Sequence, residues 1–189
     1  PYTWKFVWSP LVDRYNLFHL GRRRSWMLIS QIAVFFSIFL LGQFSPKTSL
    51  SVIAVVSVIL SFASATQDIV IDAYRREILT DRELGLGTSL FITASRASSL
   101  VPGGLSLVIA QFLSWSDVFF ITAAFMLPAL VVTFFIKEPE TINAPRNLRQ
   151  AIIEPFREFK DRRGLKSMFL IILFVFCYKL GDSMATALA

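Results

Sequence analysis

The sequence predicts an all-α polytopic membrane protein, and three observations support that fold class. Of the 189 residues, 54% are hydrophobic and 19 are phenylalanine, which is more apolar than a soluble domain of this length requires. The apolar residues form runs of about 20, the length of a helix that crosses a bilayer. Lys and Arg residues collect in alternate connectors between these runs, as in proteins with basic cytosolic loops.

The apolar runs predict one partial membrane segment followed by five more. The chain opens in the closing turns of the partial segment, over residues 2–11. Four complete spans are predicted at 26–44, 50–73, 89–113 and 118–136, and a last span begins at 167. The third of these is interrupted by Pro102-Gly103-Gly104, which can kink a helix because proline lacks the amide donor. Since the chain starts at Pro1 and ends within an apolar run, we expect a fragment of a longer protein.

The distribution of loop cations predicts the orientation in the membrane. Segments 13–24, 75–87 and 137–166 together hold 15 Lys and Arg residues, whereas the alternate connectors hold only Lys47. We therefore expect the three basic segments to face the cytosol. The formal net charge of +6 then reflects membrane topology, and no nucleic-acid partner is expected.

The long basic connector shows helical periodicity. Its apolar residues recur at intervals of three or four: Leu148, Ile152, Phe156 and Phe159. Basic residues occupy the other side, so this segment is predicted to lie as an amphipathic helix on the cytosolic leaflet, broken in two at Pro155.

Ionisable residues within the apolar runs are the candidates for function. A charge at the centre of a membrane helix costs about 2.5–3.5 kcal/mol on insertion scales, so each one needs a partner or a task. The candidates are Asp68, Asp72, Arg96, Lys179 and Asp182. Asp68 lies one turn deeper than Asp72, and the interfacial position of Asp72 suits an ordinary pair with Arg75 or Arg76.

Arg96 and the pair Lys179 and Asp182 each have a structural and a functional interpretation. The sequence does not decide between the two interpretations in either case. Arg96, near mid-membrane, can form a structural ion pair with Asp68 or bind an anionic substrate. Lys179 and Asp182 are three residues apart on one helix face. They can form a structural pair, or Asp182 can take up a proton and free Lys179 for substrate.

The sequence contains no motif typical of an enzyme, a metal site or a cofactor site. Cys177 is the one cysteine, His19 is the one histidine, and neither belongs to a ligand cluster. An intramembrane aspartyl protease with Asp68 and Asp182 as its catalytic pair is a further alternative. It is disfavoured because Lys179 stands where such enzymes have the first glycine of Gly-x-Gly-Asp.

The first basic segment carries a family resemblance. SPLVDR at 9–14 followed by GRRR at 21–24 resembles the loop between helices 2 and 3 of the major facilitator superfamily. The sequence departs from that pattern in having Ser9 for the usual glycine and a longer gap before GRRR. The resemblance implies that one set of residues forms a cytosolic gate motif: Asp13, Arg14, Gly21, Arg22 and Arg23.

Within that superfamily, the chain looks like the AmpG muropeptide permeases along its whole length. The matching stretches are WKFVWSPLVDRY at 4–15, ATQDIVIDA at 65–73, PGGL at 102–105 and YKLGD at 178–182. By this resemblance, the chain covers the end of helix 2 to most of helix 7 of a twelve-helix carrier. Residues 1–136 would form the N-terminal half bundle, 137–166 a cytosolic linker, and 167–189 the first helix of the second half.

The resemblance implies a proton-coupled secondary transporter of the bacterial inner membrane, which imports anhydromuropeptides for peptidoglycan recycling. Its partners would be the muropeptide, protons and the bilayer, and we expect a monomer without metal or cofactor. The substrate-binding candidates are Gln67, Arg96, Tyr178 and Lys179. The proton-coupling candidates are Asp68 and Asp182. A transporter of acetyl-coenzyme A or another anionic solute is the main alternative.

Overall fold

A computed structural model describes residues 2–18, 20–139, 167, 169–171, 173–178 and 180. The chain divides into two compact units, 1–144 and 145–189, and each is treated by itself. Four of the predictions lie outside the described residues: the amphipathic linker helix, His19, Lys179 and Asp182.

Every regular element of the first unit's described residues is helical. The elements are a 3₁₀ helix Tyr2–Val7, α1 Ser9–Arg14, α2 Arg22–Gln43, α3 Leu50–Ile78, α4 Leu84–Ser98, a π-helical segment Val101–Leu105, α5 Ser106–Ile109, α6 Trp115–Ala124 and α7 Leu127–Phe135. In the second unit, 169–171 and 173–178 are helical.

Four stretches of the described chain are long and apolar enough to cross a membrane. They are Arg22–Gln43, Leu50–Ile78, Leu84–Ile109 and Trp115–Phe135. They confirm the four complete spans predicted from hydropathy. The predicted interruption of the third span is also found, since the π-helical segment contains Pro102, and a proline cannot donate the helical hydrogen bond.

Helix α2 is the centre of the first unit, because it packs against α3 on one side and against α6 and α7 on the other. Close approach to α6 depends on Gly42, where an added Cβ would lie 2.6 Å from the Cβ of Phe119. Contact with α7 includes a buried hydrogen bond, in which Thr133 Oγ1 donates to Gln31 Oε1 at 3.0 Å. Such polar contacts join helices where the surroundings are apolar.

The buried apolar core lies next to the first basic segment. Val12, Met27, Ile69 and Val70 form it, and Trp8, Trp26, Ile71, Tyr74 and Ile136 pack around it. These residues come from α1, α2 and α3, from Trp8 just before α1 and from Ile136 just after α7. The core therefore fixes the ends of these helices on the side that is predicted to face the cytosol.

Candidate functional site

Five charged side chains meet beside this core and are called here the arginine cluster: Asp13, Arg22, Arg23, Glu77 and Glu138. Arg23 is its centre, with a side chain only 5% exposed. Its Nη1 donates to Asp13 Oδ1 at 2.7 Å, and its Nε donates to both carboxylate oxygens of Glu77, at 3.1 and 3.0 Å. Arg23 of α2 thus binds the end of α1 and the end of α3 at once.

Arg22 also contacts both Asp13 and Glu77. Its Nη1 donates to the backbone oxygen of Asp13 at 2.6 Å, and its Nη2 donates to Glu77 Oε1 at 3.1 Å. The planar guanidinium presents several donors in a fixed fork, which suits one arginine to two acceptors on different helices. The two arginines and Glu77 therefore connect three helices through charged hydrogen bonds.

Glu138 caps the start of α2. Its Oε1 accepts from the backbone amide of Arg23 at 2.8 Å, and its Oε2 accepts from that of Arg24 at 3.0 Å. A carboxylate is favourable here because the first amides of a helix lack internal partners and carry partial positive charge.

Gly21, with φ of +105°, precedes this cap. An added Cβ there would clash with the Glu138 side chain and displace it from the cap, and the positive φ itself favours glycine.

Side chains of α2 and α3 in turn donate hydrogen bonds to backbone oxygens at and just after the end of α7. Arg24 Nε donates to the backbone oxygen of Thr133 at 3.3 Å, and Arg24 Nη2 donates to that of Phe134. The Tyr74 hydroxyl donates to the oxygen of Lys137 at 3.0 Å. The two bonds from Arg24 satisfy carbonyls that a helix leaves unpaired at its C-terminus, and the bond from Tyr74 holds the chain just beyond the end of α7. The start of α2 and the end of α7 thus cap each other.

The structure brings together four of the five residues of the predicted gate motif: Asp13, Gly21, Arg22 and Arg23. Arg14 lies apart, since its guanidinium is exposed and sits 5.3 Å over the ring of Tyr15. That the set acts as a gate stays a prediction.

Sequence reasoning missed the two acids of the cluster, Glu77 and Glu138. Each ends or follows a predicted span on the side of the basic segments. Buried arginines require carboxylate partners. The positions of Glu77 and Glu138, beside the basic segments, could therefore have indicated these two acids as partners.

A second group of charges, called here the charged wall, consists of Lys5, Asp68, Asp72 and Arg75. Arg75 Nη2 lies 2.9 Å from Asp72 Oδ1, which is one of the two interfacial pairs that the sequence allows, with Arg75 or with Arg76. The guanidinium of Arg75 also lies 4.4 Å over the ring of Phe91, so this pair joins α3 to α4. Lys5 Nζ approaches Asp72 Oδ2 at 3.9 Å.

Asp68 lies one turn from Asp72 and is half-buried. Lys5 and Asp72 carry the charges that act on it in the part of the chain that the structure describes. Among the described residues, no ion pair includes Asp68 or Arg96, so the structural pair, one of the two alternatives for Arg96, is not formed in this structure. The reason is that Arg96 lies on the exposed helix α4, none of whose residues is buried, whereas Asp68 shares its surroundings with Lys5.

The other substrate candidates are placed separately. Gln67 is half-buried in α3, next to Asp68. Tyr178 belongs to the second unit, where it is 69% exposed and stacks on Phe174 with ring centroids 6.4 Å apart.

The sequence model of the Major Facilitator Superfamily matches residues 4–188, nearly the whole chain. The chain belongs to the Major Facilitator Superfamily. Together with the four apolar helices described above, this membership identifies a multi-pass membrane protein of a transporter superfamily.

Several relatives from this superfamily align along the whole chain. An uncharacterised protein of Haemophilus influenzae is 48% identical over 191 residues, covering 100% of this chain and 45% of its own. The anhydromuropeptide permease of Escherichia coli K12 is 39% identical over 189 residues, covering 99% of this chain and 38% of its own. A Rickettsia typhi protein that bears the name AmpG 3 is 34% identical over 202 residues, covering 100% of this chain and 48% of its own. The chain thus spans less than half the length of these relatives.

Proposed function

We propose that the protein is a proton-coupled secondary transporter, monomeric in the bacterial inner membrane, which imports anhydromuropeptides for peptidoglycan recycling. One observation carries the proposal: 39% identity to the Escherichia coli anhydromuropeptide permease over 99% of the chain. That extent includes both the arginine cluster and the charged wall. The relative's name describes a permease, which supports transport without catalysis.

The arginine cluster supports a role in alternating access. A carrier must exchange two arrangements of its helix ends, and a set of charged hydrogen bonds between those ends favours one arrangement over the other. Arg22 and Arg23 tie α1, α2 and α3 together on the side predicted to face the cytosol. Under the proposal, release of these contacts accompanies the opening of the carrier on that side.

The substrate and coupling roles follow from the charges within the spans. A muropeptide carries carboxylates, so it needs cations along its path. Arg96 takes part in no ion pair among the described residues, and it is proposed to bind an anionic group of the substrate. Gln67, Lys179 and Tyr178 are proposed to complete the contacts. Asp68 and Asp182 are proposed to exchange protons with the gradient, because an intramembrane acid is the usual carrier of a coupled proton.

Uptake into energised membrane vesicles tests this function. The vesicles contain the native protein that includes this sequence, and they are supplied with either radiolabelled GlcNAc-anhydroMurNAc-tripeptide or radiolabelled acetyl-coenzyme A. We expect the muropeptide to accumulate and a protonophore to abolish its accumulation. Accumulation of acetyl-coenzyme A with exclusion of the muropeptide would assign the protein to the alternative substrate class.

A further inference from the structure

An open pocket of about 270 Å³ lies beside the charged wall, lined by Lys5, Ser9, Ile69 and Asp72. Its polar groups are an ammonium, a hydroxyl and a carboxylate. The first two are hydrogen-bond donors of the kind that bind an anion. The third, Asp72, competes with an incoming anion for the ammonium.

Asp72 holds Lys5 only loosely. The two charged groups are 3.9 Å apart, at the outer limit of an ion-pair contact, so their attraction is weak. Asp72 binds Arg75 more closely, at 2.9 Å. Arg75 thus satisfies much of the charge of Asp72, and the Lys5 ammonium keeps charge that an anion can neutralise.

The backbone that carries Lys5 is fixed to α3 on both sides of the residue. On one side, the Tyr2 hydroxyl forms a hydrogen bond with the Ser64 hydroxyl. On the other, Trp8 Nε1 donates to Thr66 Oγ1 at 3.2 Å. These contacts keep the root of the Lys5 side chain opposite the acidic face of α3. The four-carbon stem of lysine still lets the ammonium move from Asp72 to a ligand.

We propose that Lys5 and Ser9 form an anion subsite of the transport path, which binds a carboxylate of the substrate in place of Asp72. This inference rests on the proposed function and assigns a specificity-determining residue beyond Arg96 and Lys179. Arg75 supports the exchange by holding Asp72 once Lys5 has turned to the substrate.

The test combines substitutions of Lys5 with two forms of the substrate that differ in charge. Uptake KM is measured in the native protein for the labelled muropeptide with free carboxylates and for its methyl ester. Lys5→Gln should raise KM about tenfold for the free acid, the loss expected for one hydrogen bond to a charged group. It should leave KM for the ester within about twofold, and Lys5→Arg should restore most of the affinity for the acid. Lys47→Gln, which removes an exposed lysine from a connector, is the control and should change neither value.

A second variant predicts a change of opposite sign. Asp72→Asn removes the competing carboxylate and should lower KM for the free acid about threefold, with no change for the ester, because a weak exposed pair is lost. An equal change for acid and ester in Lys5→Gln, or an unchanged KM for the acid, would overturn the subsite. If Lys5→Gln does not reach the membrane, Asp72→Asn decides the question by itself. Absence of muropeptide uptake by the unmodified protein would refute the proposed function instead.

Discussion

Replacing Arg23 by alanine removes the side chain that joins the ends of α1 and α3. Loss of one partner from a fully buried ion pair costs about 3–5 kcal/mol, whereas an exposed pair contributes about 0.2–1 kcal/mol. Arg23 is 5% exposed, but its partners Asp13 and Glu77 are 30% and 28% exposed. Water can therefore solvate the two carboxylates in part, and we expect Arg23→Ala to lower the free energy of unfolding by about 2–3 kcal/mol.

The measurement is reversible unfolding of the purified native protein in mixed micelles of increasing denaturing detergent, followed by tryptophan fluorescence. Arg14→Ala is the matched control, since it removes an arginine of the same motif whose guanidinium is exposed over Tyr15. The control should change the free energy of unfolding by less than about 0.5 kcal/mol. Equal effects of Arg14→Ala and Arg23→Ala would contradict the central position assigned to Arg23.

A double-mutant cycle isolates the contact between Arg23 and Glu77. Because Arg23→Ala and Glu77→Gln remove the same interaction, their combination should destabilise less than the sum of the two, with a coupling energy of about 1–2 kcal/mol. Strict additivity would show that the contact contributes nothing measurable to stability.

Four further outcomes are expected. Gly21→Ala should lower the free energy of unfolding by about 2 kcal/mol or more, because it combines a positive φ with a steric clash; a neutral effect in the same titration would contradict this. Asp68→Asn should retain exchange of labelled muropeptide across the membrane but lose accumulation driven by a proton gradient; accumulation equal to the parent's would exclude Asp68 as the coupling group. Arg96→Ala should abolish uptake with normal membrane abundance by immunoblot, whereas undiminished uptake would remove it from the substrate path. A cysteine replacing Lys47 in a cysteine-free background should react with an impermeant maleimide added to the outside of intact cells, and labelling only after permeabilisation would reverse the topology.

Local properties of the sequence were sufficient for the membrane spans and for some details within them. A span depends on the composition of about 20 consecutive residues, so the four helices followed from hydropathy alone. The π-helical segment at Val101–Leu105 occurs where Pro102 breaks the pattern of helical hydrogen bonds. The pair of Asp72 with Arg75 was predictable because residues three apart on a helix are neighbours.

Contacts between helices depended on the tertiary structure. Helical periodicity gives the face of a residue but not the rotation and height of that helix against its neighbours, which are set by packing around Val12 and Met27. For this reason the sequence indicated Arg22 and Arg23 but not their partners Glu77 and Glu138. It also allowed a pair between Asp68 and Arg96, whereas the structure places Lys5 beside the acidic face of α3. Burial in lipid is a property of each segment, so the sequence alone determined the spans. Charge pairing depends on the relative position of two segments, so only the fold decided which charges pair.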